Sequence, residues 1–534
     1  MDPCFHVLAA GLLCFVMAAR SAASGSERLG AAGKVYDVRD YGGKPDGKTL
    51  CTAAIQKAID AAAAGGGGTV RLPKGTFLSG ALCMKSRVSL HLDEGATLLG
   101  SRKLEDYYGP RFDADGRAAG GRVFRNLIQA EGLHDIAVRG RGTIDGQGSA
   151  FRDRKKRRTK CLYFANCRNV LVEGVRMRAA GCWMQHYRLC RNLTIRNIDV
   201  FNHVAFNNDG LNIDSCRDVT VSGCRVDSDD DGIVLKSLSQ TPCRSVKIAD
   251  CVVSSHCNAF KMGTESGGGF VDITIANCRA FSPKRSKKIY GRQRGLAGIA
   301  LEIVDGGRME NVSVTDVDIE GVSVPIFLRL GNRARPYVSG AKPGVGTFRS
   351  VRLSNVTARG TSSIGCSITG LPGHPIENVA LTNVRLGFEG GGTRKHTQQK
   401  VPQREKSYPE STMCGTLPAY GFYCRHVRGL RFTNLQLRTD KPDLRHALAL
   451  DDVQDAEIDG LDASFSPGAA AMVRMANVQT AAIRRCSPTS PVDTLLQLQG
   501  KATRRIALDS SDLGKVRNVA AVSPEVPKGA LSRK

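Results

Sequence analysis

Short segments in which every second residue is apolar, and mostly β-branched, recur behind a polar turn. Four are closely alike: Cys167-Arg-Asn-Val-Leu-Val, Cys190-Arg-Asn-Leu-Thr-Ile, Cys216-Arg-Asp-Val-Thr-Val and Cys243-Arg-Ser-Val-Lys-Ile. Weaker versions open at Val271, Glu310, Ser350, Glu377, Gly429 and Asp455, about 23 to 28 residues apart or, where loops are inserted, about 39 or 51. Alternation with a period of two predicts strands, and a repeat of this length with Asn, Asp or Gly at its turns predicts a solenoid. One coil cannot bury its own apolar face, whereas coils stacked about 4.8 Å apart share one continuous core. The 3.6-residue apolar period of helical repeats is missing. The expected fold is therefore all-β, a single-stranded, right-handed parallel β-helix.

The ends of such a stack need covering. Thr52 to Ala64 reads as an amphipathic helix stopped by Gly65 to Gly68, just before the first strands, Thr69 to Leu72 and Val88 to Leu92. A capping helix is expected there. Residues 35–522 are read as one β-helix domain, carrying a polar, glycine-rich insert at about 387–416 and followed by a loose tail at 523–534. The apolar run Val7 to Ala19, followed by Ser21, Ala22 and Ala23, suits a signal peptide over residues 1–23, with a linker over 24–34. A buried or anchoring helix is the competing reading. Export would place the protein outside the cell or in a periplasm, with no membrane segment after cleavage.

Composition narrows the partners. The formal net charge of +26 favours a polyanion, which for an exported protein is an acidic polysaccharide. The clusters Arg152 to Lys160 and Lys284 to Arg294 hold much of the excess, as solvated loops or as steering charge. No aromatic platform is interleaved with them, so no nucleic-acid partner is expected. The 18 cysteines are periodic: Cys224, Cys251 and Cys278 recur about one coil apart, as a ladder of small inward-facing side chains would. A disulfide between Cys216 and Cys224, or Cys243 and Cys251, would have to span an extended strand and is excluded, although bonds between coils remain open. No CxxC pair or histidine cluster has metal-ligand spacing, so neither a metal site nor a cofactor is expected. A monomer is expected.

The chemistry concentrates at two turns one coil apart, Asn207-Asn208-Asp209-Gly210 and Ser228-Asp229-Asp230-Asp231-Gly232. Either turn alone is ordinary. Together they aim several carboxylates at one patch, where like charges about 4 Å apart repel by several kcal/mol at an effective dielectric near 20. Two chemistries need such a patch: calcium-dependent β-elimination by a polysaccharide lyase, and acid/base hydrolysis of a glycosidic bond. A non-catalytic β-helix that binds glycans, such as an adhesin, is a third reading.

At these residues the sequence resembles the polygalacturonase family, glycoside hydrolase family 28, within the pectin-lyase-like β-helix superfamily. Its Asn-x-Asp motif is matched by Asn207-Asn208-Asp209 and its Asp-Asp pair by Asp230-Asp231, with further likeness at Tyr36 to Gly100 and Gly142 to Gly148. The resemblance implies a metal-independent, inverting hydrolase of a pectic polysaccharide. Asp230 would be the general acid, its pKa raised by its anionic neighbours, while Asp209 and Asp231 position and deprotonate water. His256 is taken as the counterpart of the family's Gly-His-Gly histidine, without the flanking glycines. Asn207, Lys236, Lys261, Glu265, Glu302 and Arg329 are candidates for the sugar subsites, with Lys261 and Glu265 alternatively pairing with each other, and Trp183 is a candidate sugar platform or packing residue. The family's Arg-x-Lys motif is missing: its neighbourhood reads Gly298-Ile-Ala-Leu-Glu302-Ile. A carboxylate there would repel galacturonate unless Lys236, Lys261 or a basic loop offsets it, so the sugar is named only as pectin-type. Inserts at 280–296 and 387–416 would favour exo action if they closed one end of a groove.

Overall fold

The computed structural model describes residues 33–533, except 108–124, 153–157, 285–287, 290, 338–341, 487, 489 and 510. The expected signal peptide, the centre of the first basic cluster and part of the second lie outside the described residues. Among those described, thirty-eight strands pair with one another in parallel. In the earlier coils, each coil adds one strand to each of three ladders. One ladder runs through Gln185–Arg188, Leu211–Asp214, Ile233–Ser237 and Asn258–Ser266. A second runs through Arg191–Arg196, Arg217–Ser222 and Cys243–Ala249, and a third through Asp199–Asn202, Arg225–Ser228 and Val252–Ser255. From Gly269–Phe281 onward the second and third strands fuse into one long strand. The architecture is the expected right-handed parallel β-helix.

The repeated turn residue explains how the coil bends. Asn169, Asn192, Asp218, Ser245, Asp272 and Asn311, each near the start of a strand of the second ladder, adopt φ between 54° and 58°. Asn and Asp tolerate this left-handed conformation because their short polar side chains bond locally. They also bond between coils: the Asn192 amide donates to Asn169 Oδ1 at 2.9 Å, and Asn169 donates to Asp135 at 2.7 Å. The apolar positions behind each turn, such as Val170, Leu193, Val219, Val246 and Ile273, stack in register inside a single core. Cys224, Cys251 and Cys278 are buried in that core, and the sixteen cysteines of the described residues are free thiols. Their ladder is one of packing.

Helix α1, Thr52–Ala64, buries Ile55, Ala58, Ile59 and Ala62 and packs on the first strands, including Val35–Asp37 and Gly68–Leu72. At the other end the chain continues the ladders, contrary to the loose tail expected after 523: Leu531–Arg533 pairs with Ile506–Leu508. The segment 387–416 lies on the face of the first ladder. Arg425 donates to the Val401 and Pro402 carbonyls, and the Ser411 hydroxyl donates to the Leu296 carbonyl at 2.8 Å. No helix among the described residues is long and apolar enough to cross a membrane.

Candidate active site

The candidate residues sit where the chain passes from the third ladder to the first. After Asp199–Asn202 the loop 203–210 is tied down by two fully buried asparagines. Asn208 accepts from the Val204 and Ala205 N–H groups at 2.7 and 2.5 Å and donates to the Ala180 and Cys182 carbonyls at 2.9 and 2.8 Å. Asn202 donates to the carbonyls of Cys182 and Asp209, both at 2.9 Å. One coil later, the Ser228 and Ser255 hydroxyls donate to the Asp230 carbonyl at 2.9 and 2.6 Å. A Cβ on Gly210 would lie 2.2 Å from Val226 Cγ1, and one on Gly232 2.3 Å from Val253 Cγ1, so the residue after each aspartate has no room for a side chain.

Asp209, Asp230 and Asp231 are thereby brought together, with only 2%, 7% and 4% of their surfaces exposed. Asn207 donates to Asp230 Oδ2 at 3.0 Å and the Asp231 N–H to Asp230 Oδ1 at 3.0 Å. Asn207, expected at a sugar subsite, thus directs its amide at Asp230. Asp231 pairs with Lys261 at 3.2 Å and accepts from the Asn258 side chain at 2.7 Å. Lys236 lies 3.9 Å from Asp209 and 3.0 Å from Glu265, which Arg333 also approaches at 3.8 Å. Lys261 and Glu265 therefore each pair elsewhere, because adjacent coils supply a nearer partner to both.

Burial is the main cause of the shifted pKa values here, ahead of mutual repulsion. It pushes Asp209 well up, with Asp230 adding to the effect, and pushes Asp230 up to about 6, with Asp231 adding to it. The proton belongs to the group and not to one residue. Burial also opposes the charge on Lys236, but Glu265 and Asp209 outweigh it and raise that pKa. For Glu265, Lys236 and Arg333 outweigh burial and hold the carboxyl down at about 2.

His256 does not join the carboxylates. Ile233 pairs with Phe260, a step of 27 residues, so His256 stacks over Asp229 and Asn258 over Asp231. The imidazole is fully buried, its Nδ1 sits 2.8 Å from the Arg292 carbonyl, and its ring packs edge-on against His203. Asn258, one coil step from Asp231, is the residue that stands beside it. The coil step, counted from Asp231, would have found it.

Arg329 is also drawn away: its guanidinium donates to the Thr369 hydroxyl at 3.2 Å and the Gln403 carbonyl at 2.5 Å, so it holds the insert. That insert brings two unforeseen residues. Tyr408, half exposed, has Lys261 and Arg333 over its ring at 5.6 and 5.7 Å. The Glu410 carboxyl is pushed up to about 7 by burial, with Lys261 opposing and Asp231 adding. On the other side, Trp183 carries Lys160 and Lys236 over its ring at 4.8 and 5.0 Å. There His186 is fully buried between Lys160 at 2.9 Å and Asp214 at 3.2 Å, and burial takes its pKa down to about 3. It is a neutral imidazole that donates through Nε2 to Asp214 and accepts through Nδ1 from Lys160.

Glu302 is fully buried and accepts from the Thr264 hydroxyl at 3.1 Å. Burial pushes its carboxyl up to about 8, with Lys261 opposing and Glu410 adding. It is consequently uncharged at neutral pH, and the repulsion expected toward a uronate does not arise. An unfolded Glu loses its proton near 4.5, whereas the native one keeps it to about 8. Between these values the native state binds more protons, so this group's contribution to stability is complete below 4.5 and is lost as pH rises toward 8. Glu302→Gln should remove that loss: by calorimetry the variant should melt with the parent near pH 5 and a few degrees above it near pH 8, the effect of roughly 3–4 kcal/mol in a chain of this length.

Comparison with known proteins agrees with this arrangement. The sequence profile described as "Glycosyl hydrolases family 28" matches residues 66–408, and that of "Rhamnogalacturonase A/epimerase, pectate lyase-like" matches residues 35–96. A Vitis vinifera protein named "Probable polygalacturonase" is 24% identical over 416 residues, covering 72% of this chain and 80% of its own. The "Exo-poly-alpha-D-galacturonosidase" of Dickeya chrysanthemi is 39% identical over 124 residues, 22% of this chain and 20% of its own. Among solved structures, the Family 28 exopolygalacturonase of Yersinia enterocolitica superposes with a TM-score of 0.60 at 20% identity, covering 80% of this chain and 79% of that one. That likeness concerns the fold. With a profile match running through the carboxylate turns and over more than half of its length, the chain belongs to glycosyl hydrolases family 28.

Proposed function

We propose that this protein hydrolyses a pectin-type polysaccharide outside the cytoplasm, by a single displacement that inverts the anomeric carbon. The observation that carries the reading is the convergence of Asp209, Asp230 and Asp231 with Lys236 and Lys261 on one face of the helix. Asp230 is the most open of the three carboxylates and delivers its proton to the leaving oxygen. Asp231, held by Lys261 and Asn258, and Asp209 orient the attacking water and take its proton. A proton shared by Asp209 and Asp230, beside an Asp231 paired with Lys261, is the inventory that this step requires. Lys236 and Lys261 supply positive charge for a uronate, and uncharged Glu302 does not oppose it. The insert 387–416, lying over the later coils, supports attack near a chain end. Large exposed apolar side chains among the described residues are scattered, at Val35, Leu50, Tyr408 and Val522, which supports a monomer.

Proton NMR of the first product formed tests the mechanism. An α-linked polymer should yield the β-anomer before mutarotation. The α-anomer as first product would mean retention and overturn the single displacement.

A further inference from the structure

His203, Asp229 and His256 follow three residues that stand in register on consecutive coils, Asn202, Ser228 and Ser255. They are 26 and 27 residues apart in the chain and stacked in space. One ligand atom from each lies within 4.8 Å of the other two. The side chain of His203 is 6% exposed, and Asp229 and His256 are fully buried. His203 Nδ1 and His256 Nε2, both in the interior, have no hydrogen-bond partner.

The second nitrogen of each ring settles where the lone pairs point. His256 Nδ1 faces the Arg292 carbonyl at 2.8 Å. A carbonyl only accepts, so Nδ1 carries the proton and Nε2 presents a lone pair. His203 Nε2 faces the Asp227 carboxylate at 2.9 Å and donates to it, so in the neutral ring, the form that binds a metal, the lone pair is on Nδ1. With His203 singly protonated, two imidazole lone pairs and the Asp229 carboxylate face one buried space, where Asp229 Oδ1 also accepts from the Ile289 N–H at 2.8 Å and lies 3.8 Å from His203 Nδ1. Each ring has the outer hydrogen bond, to a carboxylate or a backbone carbonyl, that fixes metal-ligating histidines.

We propose that His203, Asp229 and His256 form a transition-metal site of the Zn2+ type. Two nitrogens and one carboxylate oxygen suit zinc, whereas Ca2+ and Mg2+ take oxygen ligands. Zinc bonds of about 2.0–2.2 Å hold ligands roughly 3.3–3.5 Å apart, so the trio closes on the ion by side-chain rotation, with water as fourth ligand. The ion would join three coils through the residue preceding Asp230, and its binding is measurable independently of hydrolysis.

The test uses the full chain without an affinity tag, stripped with a chelator and dialysed. Calorimetric titration should show one Zn2+ per chain, with a rise in Tm, and Co2+ should give visible absorption bands that Zn2+ abolishes. His203→Gln and His256→Gln should each weaken Zn2+ binding at least tenfold and lose the cobalt bands while keeping the parent's circular dichroism. X-ray absorption of the Zn2+-loaded parent should show two imidazoles, a reading that does not depend on either variant folding. No stoichiometric binding by the parent, binding unchanged in both variants, or absorption without imidazole scattering would each overturn the proposal.

Discussion

Asp230→Asn is expected to lower kcat on a pectic polymer by about 10³-fold or more while changing KM little. The amide is nearly isosteric, and its single oxygen can accept from either Asn207 or the Asp231 N–H, which now meet separate oxygens of Asp230, each at 3.0 Å. The shape of the site and one of these two hydrogen bonds survive, and the loss that counts in the reaction is a transferable proton, needed only as the glycosidic oxygen leaves. The parent's pH profile carries the same information. With the Asp230 carboxyl raised to about 6, the rate should decline as pH rises through that region. A variant that keeps a tenth of the parent's kcat would show that Asp230 is not the acid.

Lys261→Met should be nearly as damaging for a different reason. Lys261 and Asp231 are both almost fully buried and lie 3.2 Å apart. Removing one member of such a pair leaves a charge without a counter-charge, at a cost of about 3–5 kcal/mol. Asp231 then loses one of the two residues that hold it toward the water and keeps only Asn258. The expected result is a fall in kcat of at least about 100-fold together with a lower Tm. A raised KM with kcat unchanged would assign Lys261 to substrate binding alone.

The fold was legible because the coil is written twice, in the alternation of each strand and in the turn residue before it. Asn169, Asn192 and Asp218 hold a backbone conformation that few other residues accept, so the turns punctuate the repeat. The three aspartates were legible for the same reason. His256 was misplaced because the motif was matched by likeness, whereas position on a solenoid is decided by coil length, here 27 residues from Asp231 to Asn258 and only 25 to His256. The grouping of His203, Asp229 and His256 shows no metal-ligand spacing in the sequence, because a solenoid brings together residues one coil apart. Tyr408 and Glu410 arrive on an insert whose path the repeat does not govern. The neutral state of Glu302 follows from burial, which its sequence neighbourhood does not reveal.

The two candidate chemistries differ in where the oxygen of the new chain end comes from. Chelator sensitivity does not separate them cleanly if His203, Asp229 and His256 hold a metal of their own. The direct measurement is mass spectrometry of oligosaccharides released from a pectic polymer in water enriched in oxygen-18. Hydrolysis by the aspartate group predicts one solvent oxygen at each new reducing end and no unsaturated sugar. Products without the label, lighter by one water and absorbing in the ultraviolet, would contradict it.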